Sequence, residues 1–445
     1  MLRVRDLEYD LPEALIAREP LEPRDAARLM VLSRSDPARV EHLLVRDLPG
    51  LLRAGDALVV NDSRVVPARL SGARSDTGGR VDGLFLSRVG DDERVWRVML
   101  KAKRPKAGSR VDLTDAAGID TGVSIELLER APVDVQAGAA QPQTTPPTTG
   151  EGDDGSDSAA WIVRVIGTPT GLENAAHVGA IALLERVGST PLPPYIRQAR
   201  KRDAKAAHEA GLSDEDRAQD KFGPVNLEAQ LQAEHDALLA QAKADAHDQL
   251  VYQTVYADAR KPGSVAAPTA GLHFTPELLS RLTGAGVGRH AVTLHVGTGT
   301  FKPVETEHVE QHAMHAEWCA VPTETAQAMA AARAGGGRVL AVGTTSARTL
   351  EGFSPAQLAQ AAAGTGACEH WTRLLITPGW RWQNVDAMMT NFHLPRSTLM
   401  AMIAALLDDG RGQGVGVTRL QAAYAQAMER KYRFYSYGDA MLILP

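Results

Sequence analysis

Arg338-Val339-Leu340-Ala341-Val342-Gly343-Thr344-Thr345-Ser346-Ala347-Arg348 decides the fold class. Its apolar residues run without polar alternation, the pattern of a strand buried on both faces. Gly343 breaks the run, and three hydroxyl residues follow as they do at a helix start. A strand that turns directly into a helix is half of a βαβ unit, and such units build a substantially parallel sheet. The flanking sequence continues the alternation. Upstream, Pro276 to Leu282 begins a helix that stops at Gly284-Ala285-Gly286, Arg289 to Val296 reads as a strand, and Thr323 to Ala334 reads as a helix broken by Gly335-Gly336-Gly337. Downstream, Ser397 is the expected N-cap of a helix over Thr398–Leu407. An α/β domain follows.

Residues 56–170 read differently. Asp56 to Asn61, Arg94 to Leu100, Val123 to Leu128 and Trp161 to Ile166 are short strand-like runs separated by Gly, Pro and Asp clusters. Short strands at this spacing predict a small sandwich or barrel. Two segments look inserted. Residues 136–158 lack apolar periodicity and are rich in Pro, Thr, Gly and Asp, so a flexible loop is expected. Residues 199–248 are rich in Ala, Lys, Asp, Glu and Gln and read as a solvated arm, with a polar helix possible from Asn226 to Leu250.

The 445 residues are enough for two or three domains. No run of about 18 apolar residues exists, so no membrane span is expected. The charged N-terminus lacks the apolar segment of a signal peptide, which points to the cytoplasm. Cys319 and Cys368 match no metal or redox spacing. The net charge of -6 speaks against a nucleic-acid partner at first sight. Glu151, Asp153, Asp154 and Asp157 carry four of those charges within the loop-like stretch. The remainder is close to neutral, so charge neither supports nor excludes RNA binding.

Several constellations can carry chemistry. The Gly343 turn offers free N–H groups to an anion, with hydroxyls from Thr344, Thr345 and Ser346 and a bidentate guanidinium from Arg348. An ordinary capped helix is the competing reading. Pro268-Thr269-Ala270-Gly271-Leu272-His273 and Thr293-Leu294-His295-Val296-Gly297-Thr298-Gly299 each set a histidine among Gly and Thr. Such runs suit close approach to a polar ligand and proton transfer near neutral pH. A satisfied, half-buried core histidine is the alternative for each. His393, in Thr390-Asn391-Phe392-His393-Leu394-Pro395, ends a loop before a helix, where functional groups concentrate.

His308, His312 and His315 stand at helical offsets of four and three, as metal ligands can. The Glu of a His-Glu-x-x-His site is missing, and Glu317 nearby is placed to orient His315. Arg430 to Asp439 interleaves Arg433 with Tyr432, Phe434, Tyr435 and Tyr437, a mixture that can stack on unpaired bases or anchor a C-terminal strand. Arg24 and Arg28 would share a face if their segment is helical. Asn61-Asp62-Ser63-Arg64 follows a buried strand directly, which is either a ligand-facing position or a plain turn.

In order along the chain, these strings resemble the S-adenosylmethionine:tRNA ribosyltransferase-isomerase family of queuosine biosynthesis. The match also takes in Pro191-Leu192-Pro193-Pro194-Tyr195-Ile196, Tyr252-Gln253-Thr254-Val255-Tyr256 and His312-Ala313-Met314-His315. It covers both ends and most of the middle. The resemblance implies a discontinuous α/β domain interrupted by a smaller β-barrel domain. Residues 1–66 would be its first segment, 67–175 the barrel, and 176–445 the second segment.

It also implies transfer and isomerisation of the ribosyl moiety of S-adenosylmethionine onto 7-aminomethyl-7-deazaguanine at the wobble position of a tRNA anticodon. Epoxyqueuosine-tRNA forms, and adenine and methionine leave. S-adenosylmethionine is then a substrate, and neither a cofactor nor a metal is expected. The sulfonium acidifies the neighbouring C5′ protons, so a base is needed, and departing adenine wants a proton. His273, His295 and His393 are the candidates for these catalytic roles. Arg24, Asn61, Arg64, Thr269, Gly271, Thr298, Gly299, Thr344, Thr345, Ser346, Arg348, Arg433 and Tyr435 are the candidates for substrate binding.

The Gly343–Arg348 turn is matched to the methionine carboxylate or a tRNA phosphate, and the C-terminal Arg/aromatic run to the anticodon. A monomer is the default expectation. Two departures stand out: the segments 136–158 and 199–248 are longer than the family needs, and Asp82 occupies a position where Glu is expected. The competing classes are a methyltransferase, for which no Gly-rich loop follows the first strand, a non-catalytic RNA-binding module, and a metal hydrolase built on the three spaced histidines.

Overall fold

The computed structural model describes residues 1–131, 158–169, 178–200, 202, 240, 242–297, 304–364, 367–408 and 414–445. The chain forms two compact units, one from Met1–Val65 with Val251–Pro445, the other from Val66–Leu250.

The first unit is built on a nine-stranded sheet. Its strands are β1 (Arg28–Ser33), β2 (Val40–Leu44), β3 (Ala57–Asn61), β13 (Gly288–Leu294), β14 (Glu317–Val321), β15 (Val339–Val342), β16 (Cys368–Thr372), β17 (Ala387–Asn391) and β18 (Ala440–Leu444). Their order is β16-β14-β13-β3-β15-β17-β18-β1-β2. The four central strands, β13, β3, β15 and β17, are parallel. β3 and β15 are buried at every residue, which explains their unbroken apolar sequence. β13 lies on one side of β3, while β15 and β17 lie on the other, so the winding reverses direction at β3. In open α/β sheets such a reversal opens a crevice beyond the carboxyl ends of the strands.

The helices of this unit include the four expected from the sequence and two, over Pro355–Ala362 and Val415–Glu429, that the sequence reading does not anticipate. They are α2 (Pro276–Gly284), α3 (Thr323–Ala334), α4 (Gly343–Glu351), α5 (Pro355–Ala362), α6 (Thr398–Leu407) and α7 (Val415–Glu429). The Ser397 hydroxyl caps α6 by accepting from the Met400 N–H. Gly343 has φ +88°, a left-handed conformation that lets β15 turn at once into α4. Nearly all of α6 is buried, so its sequence is apolar around its whole circumference.

The second unit carries β5 (Arg69–Arg74), β6 (Arg80–Val89), β7 (Asp92–Lys101), β8 (Arg110–Thr114), β9 (Asp120–Ala131), β10 (Ser158–Ile166) and β11 (Gly188–Ser189), in the order β11-β5-β6-β7-β10-β9-β8. β5 also pairs with β8, so the six antiparallel pairings return to the strand on which they start. Burial alternates along β7 and β9, as expected of strands with one face on a core. The sequence reading placed a boundary near residue 175. Here α1 (Ala180–Val187) and β11 stay with this unit, because Gly188 and Ser189 pair with Leu70 and Arg69. Asp82 forms an ion pair with Arg69 at 2.9 Å, a contact within this sheet. Most of the two inserted segments lies outside the described residues. Residues 242–251 are helical.

Candidate active site

The crevice predicted by the strand order is present in the first unit. A cleft lies beyond the carboxyl ends of β15 and β17. Thr269, Thr344, Thr345, Asn391, His393 and Tyr435 line it. An adjoining chamber shares Thr344, Thr345 and Leu399 with the cleft, and Glu317 and Arg348 form its polar side.

The N-terminus of α4 faces both spaces through Thr344 and Thr345, and no side chain among the described residues caps its amides. The uncapped amides and the helix dipole make this end attractive to an anion. The Thr345 hydroxyl is buried without a hydrogen-bond partner among the described residues. The Thr269 hydroxyl donates to Asn391 Oδ1 at 2.9 Å, and Asn391 Nδ2 donates to the Tyr435 carbonyl at 3.2 Å. Tyr435 has φ +71°, a strained conformation for a bulky residue, and it sits at the cleft wall.

His393 is buried and lines the cleft. Its Nε2 is 2.8 Å from the Thr390 hydroxyl. Burial pulls its pKa down from 6.5 to about 3, so the ring is neutral over the whole physiological range. The main chain at this residue is fixed from two sides. Its N–H donates to the Tyr424 hydroxyl at 2.8 Å, and its carbonyl accepts from the Tyr9 hydroxyl. Phe392 packs its ring 5.0 Å from that of Phe434 and 5.4 Å from that of Tyr424, which holds the loop against the core.

A family model described as queuosine biosynthesis protein matches residues 4–443. The chain belongs to the S-adenosylmethionine:tRNA ribosyltransferase-isomerase family of queuosine biosynthesis. It is an enzyme of the transferase class. The relative of that name from Symbiobacterium thermophilum is 40% identical over 445 residues, covering all of both chains. The one from Gloeobacter violaceus is 39% identical and covers 98% of this chain and 95% of its own. The crystal structure of an S-adenosylmethionine tRNA ribosyltransferase from Thermotoga maritima is 27% identical, covering 99% of this chain and all of that one, with a TM-score of 0.42.

Within this ribosyltransferase-isomerase family member, the structure sorts the predicted site residues into three groups. Thr269, Thr344, Thr345, His393 and Tyr435 meet at the cleft, and Arg348 reaches the adjoining chamber. Thr298 and Gly299 lie outside the described residues. The others are occupied elsewhere. His273 is buried with Nδ1 3.0 Å from the Ala270 carbonyl and Nε2 2.9 Å from the Gly438 carbonyl, and it does not line the cleft. Gly271 is tightly packed, since a Cβ there would come within 2.0 Å of the Tyr256 hydroxyl. Asn61 is fully buried and bridges strand ends, donating to the Leu294 carbonyl at 3.0 Å and accepting from the Ser63 and Leu294 N–H groups.

The Ser346 hydroxyl donates back to the Val342 carbonyl of its own helix start. Arg64 continues the pairing of the short strand β4 (Arg64–Val65) with β12 (Pro262–Ser264). Arg24 donates to the Gln253 carbonyl at 2.8 Å. Arg24–Ala26 is a single 3-10 turn and Arg28 already belongs to β1, so the two arginines do not share a helix face.

His295 stacks on Trp318 at 5.1 Å. Its Nδ1 is buried without a partner among the described residues, and desolvation lowers its pKa against the opposing pull of Asp62. It does not line the cleft, although its neighbour Val296 does. Tyr432, Phe434 and Tyr437 are buried, and residues 430–439 precede the final strand instead of forming one. Their rings therefore face the core, and Arg433 gives one N–H to the Glu19 carbonyl. His308 and His312 flank a single 3-10 turn over Val309–Gln311, so the three spaced histidines do not share an α-helical face. Among the described residues, no group of three or more His, Cys, Asp or Glu is arranged to hold a metal ion. No helix among them is long and apolar enough to cross a membrane.

Glu317 was matched to His315 from sequence, but its carboxylate accepts from Arg348 Nη1 and from the Gly297 N–H. Asn391 and Thr390 were missed as site residues. They close the buried strand β17. Polar residues ending an otherwise apolar strand were the available signal.

Proposed function

We propose that this enzyme transfers the ribosyl moiety of S-adenosylmethionine to 7-aminomethyl-7-deazaguanine in the wobble position of a tRNA anticodon. The ribose is isomerised to an epoxycyclopentane, giving epoxyqueuosine-tRNA, and adenine and methionine depart. The observation that carries this reading is the Thr/Asn/His-lined cleft at the carboxyl ends of the parallel strands in a chain of this family. We read the α/β unit as the catalytic domain and the ring of six antiparallel strands as a small barrel inserted in it. No metal or cofactor has a part in this scheme. Partners are S-adenosylmethionine and tRNA, and the enzyme acts in the cytoplasm as a monomer.

The cleft residues divide the work. A cationic ring beside the sulfonium of S-adenosylmethionine would repel it. Burial keeps His393 neutral, so it serves as a hydrogen-bonding group on the nucleoside without electrostatic conflict. Thr269, Asn391 and Thr390 supply further neutral donors and acceptors around it. The uncapped start of α4 takes an anionic group of the substrate. His273, with both nitrogens against backbone carbonyls, ties the 269–273 turn to the C-terminal loop and takes no part in proton transfer.

The test is direct. The enzyme is supplied with S-adenosylmethionine and tRNA bearing 7-aminomethyl-7-deazaguanine, and free adenine, free methionine and the modified nucleoside are measured. The reading predicts all three in equal amounts. Methyl transfer to tRNA without adenine release would overturn it in favour of a methyltransferase.

A further inference from the structure

We propose that the chamber beside the cleft seats a zwitterionic α-amino acid with an apolar side chain, namely the methionine portion of S-adenosylmethionine. This deepens the function proposed above and rests on it. The chamber brings together two buried, opposite charges. Arg348 is 8% exposed and Glu317 6% exposed. Arg348 Nη1 donates to Glu317 Oε2, and Nη2 lies 3.3 Å from the His315 and Thr372 carbonyls. Among the described residues, Arg348 Nε has no acceptor and the Thr345 hydroxyl has no partner.

An unmatched buried donor costs about 1–3 kcal/mol, which a ligand acceptor recovers. A carboxylate bound at the α4 N-terminus meets the Thr345 hydroxyl, the helix amides and the Arg348 charge together. Glu317 has accepted two hydrogen bonds, from Arg348 and from the Gly297 N–H at 2.8 Å. A carboxylate can accept about four, so two sites remain for an ammonium group.

The rest of the wall is apolar: Met314, Leu374, Ile376, Leu399 and Met402. Soft, flexible side chains of this kind fit a thioether chain. The net-neutral pair also argues against a phosphate, which would set a second anion against Glu317. The shared residues Thr344, Thr345 and Leu399 then mark the border between the amino-acid half and the nucleoside half of the substrate.

The experiment is calorimetric titration of the full chain with L-methionine, 4-(methylthio)butanoate, 3-(methylthio)propylamine and, separately, adenine. L-methionine is expected to bind, with each truncated analogue weaker by about 10- to 100-fold, the loss for one charge-assisted hydrogen-bonding group. Glu317→Gln is expected to abolish the preference for L-methionine over 4-(methylthio)butanoate while leaving adenine binding unchanged. The comparison of analogues on the unaltered protein decides the question even if the variant does not fold. Equal binding of L-methionine and both analogues overturns the proposal, and so does adenine binding without methionine binding. Failure of both adenine and methionine to bind, with no adenine released from S-adenosylmethionine and tRNA, overturns the proposed function as well.

Discussion

The turns at 269–273 and at 390–393 each pair a threonine with a histidine in the buried part of the same unit, yet they use the histidine differently. In the first, both ring nitrogens of His273 lie against main-chain carbonyls, one of them 165 residues away in sequence. In the second, His393 meets a hydroxyl through one nitrogen, and its ring borders the cleft. The threonines diverge as well. Thr269 faces the cleft and holds Asn391, whereas Thr390 holds the histidine itself. Residue composition alone cannot separate a tie from a site. What separates them is whether the imidazole is consumed by backbone or left to a cavity.

That contrast can be broken by substitution. The largest effect is expected from His393→Gln, which should lower kcat for adenine release by about 10²- to 10³-fold, the usual loss for one aimed polar group in an active site, with the thermal midpoint nearly unchanged. A variant that turned over normally would remove His393 from the chemistry. His273→Ala should act on folding. It leaves a cavity and removes the ring N–H from the carbonyl that accepts it, a loss of about 2–4 kcal/mol, read as a lower urea midpoint. Activity per folded molecule should stay within a few-fold of the parent enzyme.

The pH dependence of stability sharpens the comparison further. The folded pKa of His393 lies near 3, below its ordinary 6.5. Between those values the unfolded chain binds more protons than the native one, so stability falls as pH drops through that window and is unaffected above it. The slope reaches about 1.4 kcal/mol per pH unit for one such group. Urea unfolding at pH 5 and pH 7 should show the decline in the parent enzyme and a smaller one in His393→Gln. An equal decline in both would mean that the burial of His393 is not its source.

The smallest effect concerns Thr390. Its hydroxyl, 2.8 Å from Nε2, fixes the ring that borders the cleft. Thr390→Val should reduce kcat by roughly 10-fold, the value of about one hydrogen bond, with KM little altered. Thr390→Ser should restore it. Loss in both variants would point to packing by the threonine methyl group instead.

Much of the α/β unit is legible in the sequence because it rests on local signals. β3 and β15 are continuous apolar runs, α6 begins at Ser397 as its cap requires, and α3 ends at the triple glycine. The turn at Gly343 also shows the helix start that opens on the cleft. The site itself is less legible, since its partners come from distant strands. Nothing near Arg348 in the chain announces Glu317 as its counter-ion. The short 3-10 turn at Val309–Gln311 defeats a helical reading of the histidines around it. The aromatic run at 432–437 carries no sign that Phe392 and Tyr424 wait to pack against Phe434. Burial of those rings depends on tertiary contacts that periodicity does not encode.

The most direct test compares the two histidines in one assay. His273→Gln and His393→Gln are purified, their folded fractions measured, and adenine release from S-adenosylmethionine with 7-aminomethyl-7-deazaguanine tRNA is recorded per folded molecule. The account predicts near-normal release from folded His273→Gln and a loss of at least about 10²-fold in His393→Gln. The reverse pattern, with His273→Gln folded but inactive and His393→Gln active, would contradict it.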